Sequence, residues 1–240
     1  MLPNGNVLFT SRGKGVYEID RSGNIVWSYL TNEISHDADR LPDGNTIFVW
    51  GFPDQIDDAQ VKEITPEGEI VWSWYAKDHF YKSPYKDIYD DGWTHTNAVT
   101  RLPNGNTVIS LRNFNFVVEV DPQGSIVKTI GEGILNGPHD PEVQPNDNIL
   151  VASFQPHRVV EIDAKTGEIV WQFATVPQGI PGVRDADRLP NGNTLLTGLQ
   201  KLAEVTAEGE IVWQLTLGVT LEAGRERGLG FYKAERIGTK

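Results

Sequence analysis

The sequence predicts an all-β fold, a five-bladed β-propeller of four-stranded antiparallel blades, on three observations. A Leu-Pro-Asn-Gly-Asn type segment recurs five times along 240 residues, a Val-x-Glu-Ile or similar strand follows each copy, and an Ile-Val-Trp strand follows that in four of the five. Repeats at this period cannot bury their own apolar faces and must stack on like neighbours. Four short antiparallel strands per repeat is the pattern of a propeller blade.

Each repeat is organised around a turn. The copies are Leu2-Pro3-Asn4-Gly5-Asn6, Leu41-Pro42-Asp43-Gly44-Asn45, Leu102-Pro103-Asn104-Gly105-Asn106, Gln144-Pro145-Asn146-Asp147-Asn148 and Leu189-Pro190-Asn191-Gly192-Asn193. Proline presets φ and Gly or Asn accepts positive φ, so the segment reads as a hairpin turn between apolar runs. A β-branched run follows, such as Thr46-Ile47-Phe48-Val49, then a third strand carrying Glu18, Glu63, Glu119, Glu161 or Glu204. The outer strand carries Trp27, Trp72, Trp171 and Trp213, with Lys128 in that place in the third copy. Side chains repeated at one place in every blade are read as packing between blades, and so are Arg40, Arg101, Arg188 and Arg236, expected to pair with the neighbouring Asp39, Asp187 and Glu235.

An inner strand precedes each turn at residues 36–41, 97–102, 139–144 and 184–189. The first repeat lacks one, and Tyr232-Lys233-Ala234-Glu235-Arg236-Ile237 matches the missing pattern. The C-terminal strand is therefore expected to close the first blade, hiding two raw sheet edges. The turn Asn residues are spaced by 39, 61, 42 and 45 residues. Six blades is the alternative count, but the longest interval holds only about twenty surplus residues, too few for four strands. Residues 75–94 are instead read as an insertion in one domain spanning 1–240. It is rich in aromatics (Tyr75, Phe80, Tyr81, Tyr85, Tyr89, Trp93), and a loop of that length suits a lid over the central opening.

Composition narrows the partners. With 21 Lys and Arg against 33 Asp and Glu, the net charge is −12. Binding to nucleic acid or to an anionic membrane surface needs a positive field, so both are excluded for the bulk surface. There is no cysteine, hence no disulfide framework, thiolate metal site or thiol nucleophile. No apolar run is long enough for a membrane span, and the first residues do not read as a signal peptide.

Function is expected where the repeats differ. The inner-strand starts hold His36, Asn97, His139, Arg184 and Tyr232, and His95 lies two residues before Asn97, on the same face of an extended strand. Arg12 and Arg112 share one position, six residues after Asn6 and Asn106, where the other blades have Gly51, Phe154 and Leu199. Arg offers a planar fork of donors, and with the imidazoles it makes a cationic mouth for a small oxyanion. A divalent ion held by His36, Asp37, His139 and Asp140 ranks below an anion, because Arg112 and Arg184 would repel it.

The stretch Trp93-Thr94-His95-Thr96-Asn97, with Ser110-Leu111-Arg112 at a strand end, resembles the axial His and Ser-x-Arg segments of the bacterial aryl sulfotransferase propellers. His36-Asp37-Ala38 and Pro138-His139-Asp140 are similar to that family's other axial His motifs. The resemblance implies transfer of a sulfuryl group from a phenolic sulfate to a phenol through a sulfated His, without a nucleotide cofactor. His139 would be the nucleophile, with His36, His95 and Arg112 holding the sulfuryl oxygens. Arg12, Asn97, Arg184, Tyr232 and Trp93 are the candidate ligand-binding residues. It also implies a periplasmic or secreted setting. Family members have six blades, an added β-domain and a Cys pair, where this chain has five repeats and no Cys. The rival reading is a non-catalytic propeller that binds an anionic or sugar ligand, or a protein, at the same mouth.

Overall fold

The computed structural model describes residues 1–218 and 230–237. Its strands form five antiparallel sheets, the blades of a five-bladed β-propeller. They divide between two compact units, Met1–Gly137 and Pro138–Lys240. The first unit carries blade one, β1 (Val7–Ser11), β2 (Gly15–Ile19) and β3 (Ile25–Leu30), and blade two, β4 (Ile34–Arg40), β5 (Thr46–Trp50), β6 (Val61–Ile64) and β7 (Ile70–Trp74). Blade three, β8 (Thr96–Arg101), β9 (Thr107–Leu111), β10 (Phe116–Val120) and β11 (Ile126–Ile130), completes it. The second unit holds blade four, β12 (Pro138–Val143), β13 (Ile149–Ser153), β14 (Arg158–Ile162) and β15 (Ile169–Ala174). Blade five follows as β16 (Asp185–Arg188), β17 (Thr194–Thr197), β18 (Lys201–Val205) and β19 (Ile211–Thr216).

The turn motif works as its residues require. In the third copy the Gly105 amide bonds the Leu102 carbonyl at 2.9 Å, and Gly105 sits at φ +89, which only a residue without Cβ takes freely. Asn104 Oδ1 accepts the Asn106 amide at 2.9 Å, closing an Asx turn. The degraded fourth copy keeps the geometry with Asp147 at φ +68 in the Gly place.

The repeated Asn and Glu are one device. The amides of Asn6, Asn45, Asn106, Asn148 and Asn193 donate to Glu18, Glu63, Glu119, Glu161 and Glu204 at 2.6–2.8 Å. Each Glu faces the Trp, or Lys128, across the strand pair, and each is followed by a β-bulge. Its second oxygen reaches the next inner strand: Arg40 bonds Glu18 at 3.0 Å and Arg101 bonds Glu63 at 2.7 Å. In the second unit Arg188 bonds Glu161 and Arg236 bonds Glu204, both at 2.7 Å. The guanidiniums also lie over Trp27, Trp72, Trp171 and Trp213 at 4.3–5.1 Å. Trp27, Trp72 and Trp171 donate to carbonyls of the following blade. The Arg partner is thus a Glu of the preceding blade, and not the Asp or Glu beside it in sequence, because neighbours along a strand point to opposite faces.

Blade three is the exception that fits the rule. Where the others have Trp it has Lys128, whose Nζ lies 3.7 Å from Glu119, and the following blade has Val143 in the Arg place.

Among the described residues blade one shows three strands, and residues 231–237, where the closing strand is expected, adopt no strand. The Ala234 amide goes instead to the Asp185 carboxylate at 3.1 Å. The segment still makes the inner-strand contacts with blade five, since Arg236 engages both Glu204 and Trp213.

Residues 75–94 form a helical turn at Lys77–Phe80 and a 3-10 turn at Tyr85–Asp87. Phe80, Tyr85 and Ile88 pack on the core cluster that includes Trp74, Trp93, Phe114 and Phe116. Most of the insertion's aromatic surface is therefore spent on anchoring it; Tyr81 and Tyr89 stay exposed.

The Arg to Glu link predicts unequal costs for one substitution at two equivalent sites. Glu63→Gln should lower unfolding free energy by about 2 kcal/mol, because a largely buried guanidinium loses its charge-assisted partner. Glu119→Gln should cost under about 1 kcal/mol, since its Lys128 partner is long and partly exposed. Urea titrations measure both, and equal losses would contradict the assignment.

Candidate functional site

The first unit brings four sequence-predicted residues into one group. His36 lies on β4 where the register slips between Ile34 and Ala38. Its Nδ1 meets Ser35 Oγ at 2.7 Å, and its ring centroid lies 5.2 Å from that of His95. Phe52 makes T-shaped contacts with both imidazoles, at 5.2 and 5.5 Å. The guanidinium of Arg12 lies over Phe52 at 4.2 Å, so it reaches the group through the phenyl face.

His95 precedes β8 with φ +47, in the left-handed region. This corrects the two-residue alternation with Asn97: the extended geometry it assumes begins only at Thr96, and the register slips again before Val99. His95 Nδ1 lies 3.3 Å from Arg112 Nη1 and 3.3 Å from the Asp90 carbonyl. Arg can only donate, so the first contact places the His95 proton on Nε2, whereas the second places it on Nδ1 and leaves Nε2 a free lone pair. Burial, and then the charge of Arg112, hold His95 below the usual His range, so it is neutral at neutral pH. Arg112 opens the 3-10 turn after β9, and its Nη1 also bonds Asn113 Oδ1 at 2.9 Å and the exposed Asp90 carboxylate at 3.3 Å.

Two candidates of the first unit lie in the interior. Asn97 is buried in β8, and Trp93 is 2% exposed, donating through Nε1 to the Tyr85 carbonyl. In the second unit His139 is buried on β12 and stacks on Phe154 at 5.7 Å. Arg184 lies 5.3 Å over the Tyr232 ring, and its amide bonds the Thr197 carbonyl. Among the described residues no three His, Asp or Glu side chains are gathered as ligands for a metal ion.

Sequence reasoning missed two features. One is Asp54, which organises the backbone at His95. The other is the acidic group on the inner strands of the second unit. Asp140 is bridged by Lys233 at 2.8 Å, Glu142 accepts the Arg188 amide at 2.8 Å, and Asp185 accepts from Ala234. Burial, then Asp140 and Glu142, push Asp187 up to about 7, with Lys233 opposing. Asp185 is pushed up by burial, then by Asp140 and Asp187. The inner-strand Asp-Ala-Asp pattern was visible, but its convergence with Asp140 is a tertiary fact.

The fold is that of a β-propeller, and its first unit brings two imidazoles and two guanidiniums together. A profile of the family described as Arylsulfotransferase (ASST) matches residues 1–133, and the chain belongs to that family. None of the curated proteins compared with it matches. Among solved structures it is similar to a Bacteroides caccae protein of unknown function, with TM-score 0.67 and 21% identity over 89% of this chain and 78% of that one. Virginiamycin B lyase from Staphylococcus aureus gives 0.57 and 15% over 91% and 69%. The WD40 β-propeller domain of Doa1 gives 0.58 and 14% over 82% and 58%. These likenesses show the propeller fold alone. No helix among the described residues is long and apolar enough to cross a membrane.

The acidic group sets a pH dependence of definite sign. A carboxyl raised in the folded state binds its proton more tightly there, so the stability it contributes is present at low pH and lost as pH rises through about 7. Asp187→Asn should raise the thermal midpoint at pH 8 and flatten its decline between about pH 5 and 8. A midpoint unchanged at pH 8 would contradict the buried-carboxylate account.

Proposed function

We propose that the chain is a sulfuryl transferase acting on phenolic sulfates without a nucleotide cofactor. The observation that carries this reading is the grouping of His36, neutral His95 and Arg112 in a member of the arylsulfotransferase family. In this reading Arg112 and imidazole N–H groups donate to the sulfuryl oxygens, where charge builds as the S–O(aryl) bond breaks. A His nitrogen lone pair forms the N–S bond. The aryl oxygen leaves with the S–O electron pair and takes a proton from a neighbouring imidazolium, departing as a phenol and leaving a neutral imidazole. The acceptor phenol returns a proton to that imidazole, its oxygen bonds sulfur, and the N–S bond breaks to restore neutral His. The family resemblance gives the nucleophile's role to His139 and has His36, His95 and Arg112 hold the sulfuryl oxygens and help protonate the leaving oxygen; His95, being neutral, serves the first of these by hydrogen bonding. Arg12, against the Phe52 ring, is assigned to the anionic ligand.

The test is purified protein with 4-nitrophenyl sulfate and phenol, following 4-nitrophenolate release. Release should depend on phenol, and should fall on the order of 10²-fold or more in Arg112→Met. His139→Ala should abolish it. Wild-type release no greater than that of His139→Ala would overturn the reading and leave a propeller that only binds anions.

A further inference from the structure

We propose that Asp54 is a positioning residue for His95, acting through the backbone to aim its imidazole at Arg112 and His36. The inference rests on the sulfuryl-transfer reading for its catalytic meaning, but its geometry stands apart from it. Asp54 is 2% exposed and lies in the loop between β5 and β6. Three consecutive amides converge on it: Trp93 N–H donates to its carbonyl at 2.8 Å, Thr94 N–H to Oδ2 at 3.0 Å and His95 N–H to Oδ1 at 3.0 Å. Thr94 Oγ1 adds a bond to Oδ2 at 2.7 Å, and Gln60 Nε2 another at 3.3 Å. Gln60 in turn accepts the Ala76 amide at 2.7 Å, so the same network holds the start of the insertion.

Two successive amides aimed at one carboxylate cannot belong to an extended strand, where they alternate in direction. The carboxylate is what fixes the turn at Thr94 and His95, and His95 takes φ +47 as a result. A non-glycine residue in that region costs on the order of 1 kcal/mol and persists only where its surroundings impose it. The space is built for the carboxylate: a Cβ on Gly92, at φ +131, would lie 2.5 Å from Asp54 Oδ1. With this backbone His95 Nδ1 comes within reach of Arg112.

The groups facing His95 are Arg112, the Asp90 carbonyl, Asp91, Asp54 and the His36 ring. Burial and Arg112 lower its proton affinity, while Asp90, Asp91 and Asp54 raise it. Removing the Asp54 charge should therefore move the His95 titration midpoint down, an effect that loss of packing alone, which exposes the imidazole, would reverse.

The experiment follows the His95 imidazole by NMR titration, assigned against His95→Gln, and 4-nitrophenyl sulfate turnover in the same protein, with circular dichroism as the check of fold. In Asp54→Asn, Oδ1 can still accept the His95 amide, but the charge and the Oδ2 acceptor are lost. The expected result is a folded protein, a lower His95 midpoint and a turnover loss on the order of 10²-fold, as for a misaimed catalytic group. A folded Asp54→Asn with both quantities unchanged, or with a raised midpoint, overturns the proposal. If Asp54→Asn does not fold, Thr94→Val decides: it deletes one donor to the carboxylate, and shifted His95 resonances with a several-fold loss of turnover are expected, whereas unmoved resonances and full turnover overturn it. If the wild-type protein shows no turnover, the functional reading falls, while the NMR result still decides the role of Asp54.

Discussion

Five glutamate carboxylates are the constraint on which this structure depends. Each takes an Asn amide from its own turn on one oxygen, and four take an Arg from the following inner segment on the other. A carboxylate with this many donors is stable under partial burial where a bare one would not be. Glu204 is held below the ordinary carboxylate range by Asn193 and Asn191, with Arg236 adding to them. For Glu18, burial pushes upward but Asn6, Asn4 and Arg40 outweigh it. The stabilisation from Glu18 and Glu204 is thus complete above the ordinary Glu value and is lost as pH falls through their lower folded values.

The functional consequence lies one strand end away. Arg40 and Arg101 tie one end of β4 and β8 to the blades before them, and at the other end the His36 and His95 ring centroids lie 5.2 Å apart. The regular strand then gives way to irregular backbone at the site: a slipped register at His36, a left-handed His95 and a 3-10 turn at Arg112. A repeated scaffold with local departures from the repeat is how propellers carry sites on otherwise equivalent blades.

The legible part of this molecule was whatever recurs. The turn residues, the β-branched runs and the Ile-Val-Trp strands announced five blades because one physical requirement is written five times. The partners of Arg40, Arg188 and Arg236 are not legible from adjacency, since Asp39 is adjacent to Arg40 in sequence while Glu18 is adjacent in space. Asp54 was invisible for a different reason: it sits in a loop without periodicity, and its role is defined by amides of residues 93–95, about forty positions away. Composition reports the insertion's apolar content but not its direction, and in the structure Phe80 and Tyr85 pack on the core. Residues 232–237 matched an inner strand in pattern and make its side-chain contacts, yet side-chain pattern does not fix where a backbone amide bonds.

The central claim is that this member of the arylsulfotransferase family carries a sulfuryl group on an imidazole. Its most direct measurement is intact and peptide mass spectrometry of the protein mixed with 4-nitrophenyl sulfate in the absence of any phenol acceptor. The expected result is a mass increment of one SO3 group, located on the His139 peptide and discharged when phenol is added. No increment in the wild-type protein, under conditions where 4-nitrophenyl sulfate is shown to bind, would contradict it.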